Sequence, residues 1–302
     1  MPALSSVTGS SVANEGGILF TAMQIITTIS EMQSLADSLR KQGHAIGFVP
    51  TMGFLHEGHL SLMREARRKC DHVIASIFVN PTQFGPAEDF ERYPRDEEGD
   101  TRKCRSAGVD VLFMPGAHEM YPTKPDVFIA VESISDRLEG TVRPGHFRGV
   151  ATVVAKLFHI VKPHKAFFGQ KDYQQCTVIK LMVRGLNMDV EIAVLPTVRE
   201  HDGLAMSSRN SYLNAGERRS AAVIYRALSS AEHMVKLGVQ EPEKLKNKVL
   251  AVLREEKDIV IDYVEIADPE TLAPLAVAAT RMVILVAVRL GRTRLIDNLL
   301  IT

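Results

Sequence analysis

The sequence predicts an α/β fold in which helices cover a parallel sheet, followed by a smaller α+β part. Short apolar segments alternate with helical segments up to about residue 197, which is typical of parallel strands buried on both faces. After Pro196 the order changes to two helices and then three apolar segments. The chain has 302 residues, enough for two domains. We therefore expect an extension over 1–22, a parallel-sheet domain over 23–197 and a C-terminal domain over 198–302.

The elements of the first domain follow from local signals in chain order. Ser30 is expected to cap a helix that runs to Lys41, because Leu35 and Leu39 lie one turn apart on one face. Pro and Gly residues separate the later segments. The expected strands are 45–49, 72–79, 109–113, 127–131, 165–168 and 189–194, and the other expected helices are 60–69, 96–107, 149–161 and 173–185.

The C-terminal elements have equally local signals. Asn214 is expected to cap one long helix that runs to Leu237, and a second helix is expected over 243–255. The apolar segments 260–266, 282–288 and 295–301 predict three strands.

Composition excludes several classes of protein. Lys and Arg number 36, as do Asp and Glu, so the net charge is zero, which argues against a protein that coats nucleic acid. The three cysteines have no CxxC spacing and indicate neither a disulfide framework nor a structural zinc site. No apolar stretch is long enough to cross a bilayer, and residues 1–22 lack the basic start and apolar core of a signal peptide. We expect a cytoplasmic protein with a flexible extension over 1–22, Met23 being an alternative start.

The segment that follows the strand at 45–49 carries the strongest chemical signal. In an open α/β sheet ligands bind where the strands end, and a helix N-terminus there favours phosphate. His56 and His59 lie three residues apart, so a helical start brings both imidazoles to one side, and Gly58 allows close approach to the backbone. Such donors stabilise the charge that develops on a transferring phosphate. The competing interpretation is two surface histidines. Zinc is disfavoured because the H-E-x-x-H spacing needs one more residue.

A second polar segment follows the strand at 165–168. Gly169 permits a tight turn, and Lys171 offers a point charge for phosphate. Asp172 suits a ribose hydroxyl or Mg²⁺, and Gln175 suits a carboxylate or hydroxyl. An ordinary helix N-terminus explains the same residues without a ligand.

A third polar segment lies at the expected domain junction. Ser207, Ser208 and Arg209 supply two hydroxyls and a guanidinium, which suit a triphosphate clamp on a loop that closes over substrate. The competing interpretation is a solvated linker.

A fourth polar segment follows the strand at 72–79. Turn chemistry explains Asn80 there but does not explain Gln83, which is therefore a candidate to bind a small hydroxy acid.

Together these segments resemble the pantothenate synthetase (pantoate–β-alanine ligase) family of the HxGH nucleotidyltransferase superfamily, over about residues 23–301. The segment at 206–209 is similar to the mobile KMSKS-type loop of that superfamily. The motifs that carry the resemblance are Pro50-Thr-Met-Gly53, His56-Glu-Gly-His59, Phe78-Val-Asn-Pro-Thr-Gln-Phe84, Tyr93-Pro-Arg95, His146-Phe-Arg-Gly149, Phe168-Gly-Gln-Lys-Asp-Tyr-Gln-Gln175, Pro196-Thr-Val-Arg-Glu200 and Met206-Ser-Ser-Arg-Asn210.

The resemblance implies a ligase of pantothenate and coenzyme A biosynthesis. ATP and (R)-pantoate would give pantoyl adenylate and pyrophosphate with Mg²⁺, and β-alanine would then displace AMP to give pantothenate. A Rossmann-like domain over 23–197 would bind ATP and pantoate, and 198–302 would form a lid domain. The resemblance also implies a homodimer, with neither nucleic acid nor membrane as a partner.

The resemblance also assigns residues, by position in this chain. The implied catalytic residues are His59, His56, Lys171 and Arg209. The implied ATP-binding residues are Met52, Gly53, Phe54, Leu55, His56, Glu57, Gly58, His59, Gly169, Gln170, Lys171, Asp172, Val198, Met206, Ser207, Ser208 and Arg209. Gln83 and Gln175 would bind pantoate, and Gln83 also β-alanine. The ATP phosphates would hold most of the Mg²⁺ shell, with Asp172 as a candidate ligand. Gln170 stands where several family members have Glu, and backbone contacts would suffice there.

Two other functions fit part of the pattern. Another HxGH enzyme, such as a nucleotidyltransferase or a truncated tRNA synthetase, would share the histidine pair, although zero net charge argues against a tRNA partner. A nucleotide-binding regulatory module would keep the fold, but its catalytic loop would be expected to have decayed. The loop at 206–209 retains its polar residues.

Overall fold

The computed structural model describes residues 22–86, 88–277 and 279–302. The expected extension over 1–22 lies outside these residues except for position 22. Within the described residues, no helix has the length and apolar character needed to span a membrane.

Six parallel strands form the first sheet, which confirms the predicted α/β fold. They are β1 Gln24–Ile26, β2 Ile46–Thr51, β3 His72–Ile77, β4 Val111–Phe113, β5 Lys165–Gly169 and β6 Glu191–Leu195, in the spatial order β1-β4-β3-β2-β5-β6. The central strands β2 and β3 are almost continuously buried, because helices cover both faces. The order reverses direction at β2, so the loops after β2, β3, β5 and β6 meet at one carboxyl edge.

Helices on the two faces of this sheet supply its cores. They are α1 Ile29–Lys41, α2 Glu57–Lys69, α3 Glu97–Ser106, α4 Ala117–Met120, α5 Glu139–Val142, α6 His146–Val161 and α7 Tyr173–Gly185. Helix α6 is the most deeply buried, and its Phe158 packs edge-on against Phe48 of β2 and Phe168 of β5.

The C-terminal part has its own apolar core. Helices α8 Ala215–Ala221, α9 Val223–Lys236 and α10 Pro242–Leu253 precede the antiparallel sheet of β7 Ile259–Ala267, β8 Met282–Leu290 and β9 Thr293–Ile301. Leu228, Leu245 and Ile284 are fully buried in it. The three predicted strands are thus present, each slightly longer than expected.

Three local predictions are wrong. Helix α1 begins two residues early, because Thr28 rather than Ser30 accepts the hydrogen bond of a first-turn N–H. Residues 127–131 form no strand: the Ile129 N–H donates to Thr152 Oγ1 on α6, so the segment follows a helix instead of pairing with the sheet. The helix expected from Asn214 to Leu237 is interrupted at Ala222, whose N–H bonds three residues back to Arg219. The short elements β1, α4 and α5 have too few residues to show a periodic pattern.

Candidate active site

Two adjoining cavities open at the carboxyl edge of the first sheet. The smaller one, of about 220 Å³, lies over β2, β3, β5 and β6, and the larger one, of about 720 Å³, extends from it toward β9. The predicted residues that line the smaller cavity are Met52, His56, Gly58, His59, Gln83, Gly169, Lys171, Asp172, Gln175, Val198, Met206, Ser207, Ser208 and Arg209. Four loops far apart in sequence thus meet around one space.

The two histidines cap the start of helix α2 reciprocally. The Gly58 N–H donates to His56 Nδ1 at 3.2 Å, and the His56 N–H donates to His59 Nδ1 at 3.3 Å. The ring centroids lie 4.1 Å apart. Because a backbone N–H can only donate, both Nδ1 atoms must be unprotonated, which leaves the hydrogen of each neutral ring on Nε2. Each imidazole therefore keeps one Nε2–H donor available for a ligand.

Both imidazoles are neutral near pH 7. Burial and then the nearby Lys171 ammonium lower the pKa of His56 to about 4. Burial, followed by His56 and Lys171, lowers the pKa of His59 well below its ordinary value. The sequence predicted that the N–H groups at the start of α2 are free to bind phosphate. The His56 side chain already accepts the hydrogen bond of the Gly58 N–H, so the Nε2–H groups of the imidazoles would take over part of the phosphate binding. Gly58 is required for a different reason than ligand approach: a Cβ there would lie 2.9 Å from the His56 ring.

A buried carboxylate holds the loop between β2 and α2. Gly53 and Phe54 both adopt positive φ angles, of 85° and 49°. Asp100 of α3 accepts hydrogen bonds from the N–H groups of Phe54 (2.6 Å) and Leu55 (2.7 Å). Left-handed backbone at a non-glycine residue costs about 1–2 kcal/mol, so this contact offsets strain beside the histidines. Sequence reasoning missed Asp100, because nothing near it in sequence indicates its partners.

Gln83 lies at the floor of the smaller cavity. It is 7% exposed, and its Oε1 accepts a hydrogen bond from Asn80 Nδ2 at 3.1 Å. Its Nε2 faces Met52 Sδ at 3.0 Å, a weak acceptor that a carboxylate or hydroxyl would readily replace. Asn80 caps the short turn at Pro81–Gln83, as turn chemistry predicts. Gln83 therefore has a donor suited to a small hydroxy acid.

The segment after β5 places three polar side chains, those of Lys171, Asp172 and Gln175, on both cavities. Lys171 Nζ lies 3.5 Å from Asp172 Oδ1, and the Asp172 carboxylate makes no capping hydrogen bond to α7. Gly169 does not serve the tight turn that was expected, since its φ is −90°. A Cβ at Gly169 would meet nothing within 4 Å, so the glycine leaves open space for a ligand.

The loop at 206–209 rests against the parallel-sheet part. The Ser208 hydroxyl donates to the Phe54 carbonyl at 3.2 Å. The Arg209 guanidinium makes two hydrogen bonds of 2.9 Å to the Asp89 carboxylate and lies over the Tyr93 ring. The loop is thus docked, and Asp89 neutralises the Arg209 charge that sequence reasoning placed in the pocket.

Some predicted ATP-binding residues do not line the smaller cavity. Gly53, Phe54 and Leu55 form the turn held by Asp100. The Glu57 side chain is exposed and pairs with Arg64, and the Gln170 amide points toward β9.

Arg143 and His146, the second of which belongs to the motif at 146–149, line both cavities. The His146 Nδ1–H donates to the Gln83 carbonyl at 2.9 Å, and its Nε2 lies 3.1 Å from a guanidinium nitrogen of Arg143, which also pairs with Glu88. Burial and then Arg143 lower the pKa of His146 to about 4. The motif at 146–149 was noticed in the sequence, but no role followed from it.

The site offers Mg²⁺ one open carboxylate rather than a cage. Among the described residues, no group of three or more His, Cys, Asp or Glu side chains is placed to hold a metal ion. Asp172 is a hard oxygen donor beside the expected phosphate position. This fits Mg²⁺, which is commonly held by substrate phosphates and one or two carboxylates.

The depressed histidine pKa values predict loss of stability in acid. Because the folded-state pKa values of His56, His59 and His146 lie below the ordinary 6.5, the unfolded chain binds protons first as the pH falls. We expect the free energy of unfolding to be unaffected by these groups above about pH 7 and to fall between pH 6.5 and 4. The expected slope is about 1.4 kcal/mol per pH unit for each histidine.

Urea unfolding at pH 7.5, 5.5 and 4.5 measures this effect. His146→Gln should make the acid loss shallower, whereas the same change at the exposed His118 should leave it as in the unmodified protein. Equal slopes for all three proteins would contradict the assignment.

Comparison with known proteins gives a consistent result. A family model described as pantoate–β-alanine ligase matches residues 24–300. Pantothenate synthetases of Acetivibrio thermocellus and Thermotoga petrophila are 50% and 52% identical to the chain, cover 92% and 91% of it, and are themselves covered to 99%.

Solved structures agree. Pantothenate synthetase from Thermus thermophilus has a TM-score of 0.87 at 46% identity, covering 92% of this chain and 99% of its own. Pantoate–β-alanine ligase from Francisella tularensis, complexed with β,γ-ATP and β-alanine, has a TM-score of 0.77 at 39% identity, covering 92% and 98%.

Proposed function

The chain belongs to the pantoate–β-alanine ligase family, and we propose that its two adjoining cavities carry out the ATP-dependent condensation of pantoate with β-alanine in two steps. The observation that carries the residue assignment is the meeting of neutral His56 and His59, Lys171 and the two glutamines Gln83 and Gln175 around one space. Side chains that can stabilise negative charge on phosphate thus lie beside side chains that can bind a small hydroxy acid.

The first step is adenylation of pantoate. A carboxylate is a poor acyl donor, so one of its oxygens attacks the α-phosphorus of ATP, the bond to the β-phosphate oxygen breaks, and pyrophosphate leaves. Gln83 Nε2 and Gln175 would hold pantoate in line for this attack. Negative charge grows on the phosphate oxygens, where the Nε2–H groups of His56 and His59 and the Lys171 ammonium would stabilise it. No obligatory proton is transferred, so neutral histidines suit the step.

The second step forms the amide. The uncharged amine of β-alanine attacks the acyl carbon of the adenylate, the carbon–oxygen bond to phosphate breaks, and AMP leaves with the electron pair. The nitrogen releases one proton to water as the neutral amide forms. The structure of the Francisella tularensis relative is a complex with β,γ-ATP and β-alanine, which supports both ligands for this chain. Gln83, already hydrogen-bonded to Asn80, would also border the β-alanine position.

The same proposal includes Mg²⁺, a lid and a dimer. Mg²⁺ would neutralise phosphate charge, with Asp172 as its protein ligand. Residues 198–302 would act as the lid domain over 23–197, which the docking of Ser208 on Phe54 supports. The homodimer and the cytoplasmic location rest on the family resemblance and on the cysteine pattern.

Pyrophosphate exchange tests the proposal most directly. The purified full chain with ATP, Mg²⁺ and labelled pyrophosphate should form labelled ATP only when pantoate is supplied. β-Alanine should then convert the signal into AMP and pantothenate. Exchange that depends on an amino acid instead would favour another adenylate-forming enzyme of the superfamily, and no exchange with any acid would favour a regulatory module.

A further inference from the structure

Strand β9 interrupts its apolar pattern with two buried polar residues. Asp297 and Asn298 are 3% and 1% exposed, within the segment Leu295–Ile301 that is otherwise mostly apolar. Buried polar side chains are costly unless they are hydrogen-bonded, so their partners indicate what they do.

Asn298 binds the backbone of the segment that carries Lys171. Its Nδ2 donates to the carbonyls of Gln170 and Lys171, each at 2.9 Å, and its Oδ1 accepts from Gln170 Nε2 at 3.2 Å. These contacts join residues about 128 positions apart in the chain. They fix the short 3₁₀ turn at Gln170–Asp172, in which the Lys171 and Asp172 side chains line both cavities.

Asp297 ties the same strand to the base of the loop at 206–209. Its carboxylate accepts two hydrogen bonds from Arg199, at 2.6 and 3.1 Å. Arg199 also donates to the Gly203 carbonyl and lies over the Tyr225 ring. Residues 199 and 205 form a bridge that leads directly into Met206. One strand of the C-terminal sheet therefore holds both segments that are expected to contact phosphate.

We propose that Asn298 is a positioning residue for adenylation, which acts by orienting the Gln170–Lys171 backbone so that the Lys171 ammonium faces the phosphates. Asn298 borders the larger cavity, but in this assignment it acts through the backbone that it binds and not on substrate. The proposal rests on the phosphate-binding role proposed above for Lys171. It extends that role by making the site dependent on the C-terminal sheet.

A double-mutant cycle tests the proposal. Asn298→Ala, Lys171→Met and the double variant are assayed by pantoate-dependent pyrophosphate exchange. We expect Asn298→Ala to lower kcat about tenfold in the unmodified protein, the loss that corresponds to about 1.4 kcal/mol. In the Lys171→Met background the same change should cost less than about twofold, because the group that Asn298 positions is already gone.

The controls separate positioning from general damage. Ser220→Ala removes a hydrogen bond of 2.9 Å to Glu256 within the same C-terminal part, at residues that line neither cavity, and should keep full activity. Asn298→Ser retains one hydroxyl donor, so its kcat should lie between that of Asn298→Ala and that of the unmodified protein. This variant also provides a testable protein if Asn298→Ala does not fold.

The possible results of the cycle distinguish failure of the positioning role of Asn298 from failure of the proposed function. The proposal would be overturned if the Asn298 substitution lowered kcat by the same factor with Lys171 present and with Lys171 replaced. It would also be overturned if Asn298→Ala and Asn298→Ser folded and kept full activity while Lys171→Met was defective. Full activity of Lys171→Met would instead remove the role of Lys171 on which it depends, and absence of exchange in the unmodified protein would refute the proposed function itself.

Discussion

Replacing Lys171 by Met is expected to lower the rate of pantoyl adenylate formation by about 10²–10³-fold, or about 3–4 kcal/mol of transition-state stabilisation. Met keeps most of the side-chain stem and removes only the ammonium. That ammonium lines both cavities, and its closest acidic neighbour is Asp172 at 3.5 Å. The charge it would meet develops during the reaction, so kcat should fall more than the affinity for ATP.

Pyrophosphate exchange and thermal unfolding, measured together, check this expectation. Lys180→Met is the matched control, because Lys180 lies on α7, directly after the turn that carries Lys171, but is exposed and lines neither cavity. Lys171→Arg should recover only part of the activity, since a planar guanidinium does not reproduce a point charge. Wild-type turnover in Lys171→Met would remove Lys171 from the reaction.

Replacing His59 by Ala is expected to reduce adenylation by a similar factor, about 10²–10³-fold, through loss of its Nε2–H donor. The same substitution also removes the acceptor for the His56 N–H, so it should destabilise the start of α2 by about 1 kcal/mol. These two losses have different causes and need separate measurements.

His59→Gln separates the two effects. A glutamine at the third helical position can accept the hydrogen bond from the N-cap backbone N–H, so this variant should recover the stability. Its amide would then be directed back toward His56, and activity should stay low. Recovery of activity together with stability would show that His59 serves only as a cap. His233→Ala, at an exposed position of α9, should change neither quantity.

Much of the fold was predictable because its signals are local. Helix α7 has the predicted bounds, and the loops after β2, β3 and β5 were correctly expected at strand ends, since parallel strands align their carboxyl ends. The loop after β6 was expected only at the domain junction. The contacts that hold the site in shape were not predictable. Asp100 binds a loop 45 residues away, and Asn298 binds one 128 residues away. The only signal for Asn298 in the sequence was the pair of polar residues Asp297 and Asn298 inside an apolar strand. That signal does not identify the residues that Asn298 binds.

The sequence by itself determined the alternation of strands and helices, the family motifs and the pairing of His56 with His59, because each depends on residues a few positions apart. Only the tertiary structure decided the charges in the site. Burial makes both histidines neutral, and Asp89 pairs with Arg209. Among the four predicted catalytic residues, positive charge for the phosphates is therefore left to Lys171, which lies 3.5 Å from the Asp172 carboxylate. The physical reason is that pKa values and ion pairs depend on desolvation and on neighbours, and both are set by packing between segments distant in the chain.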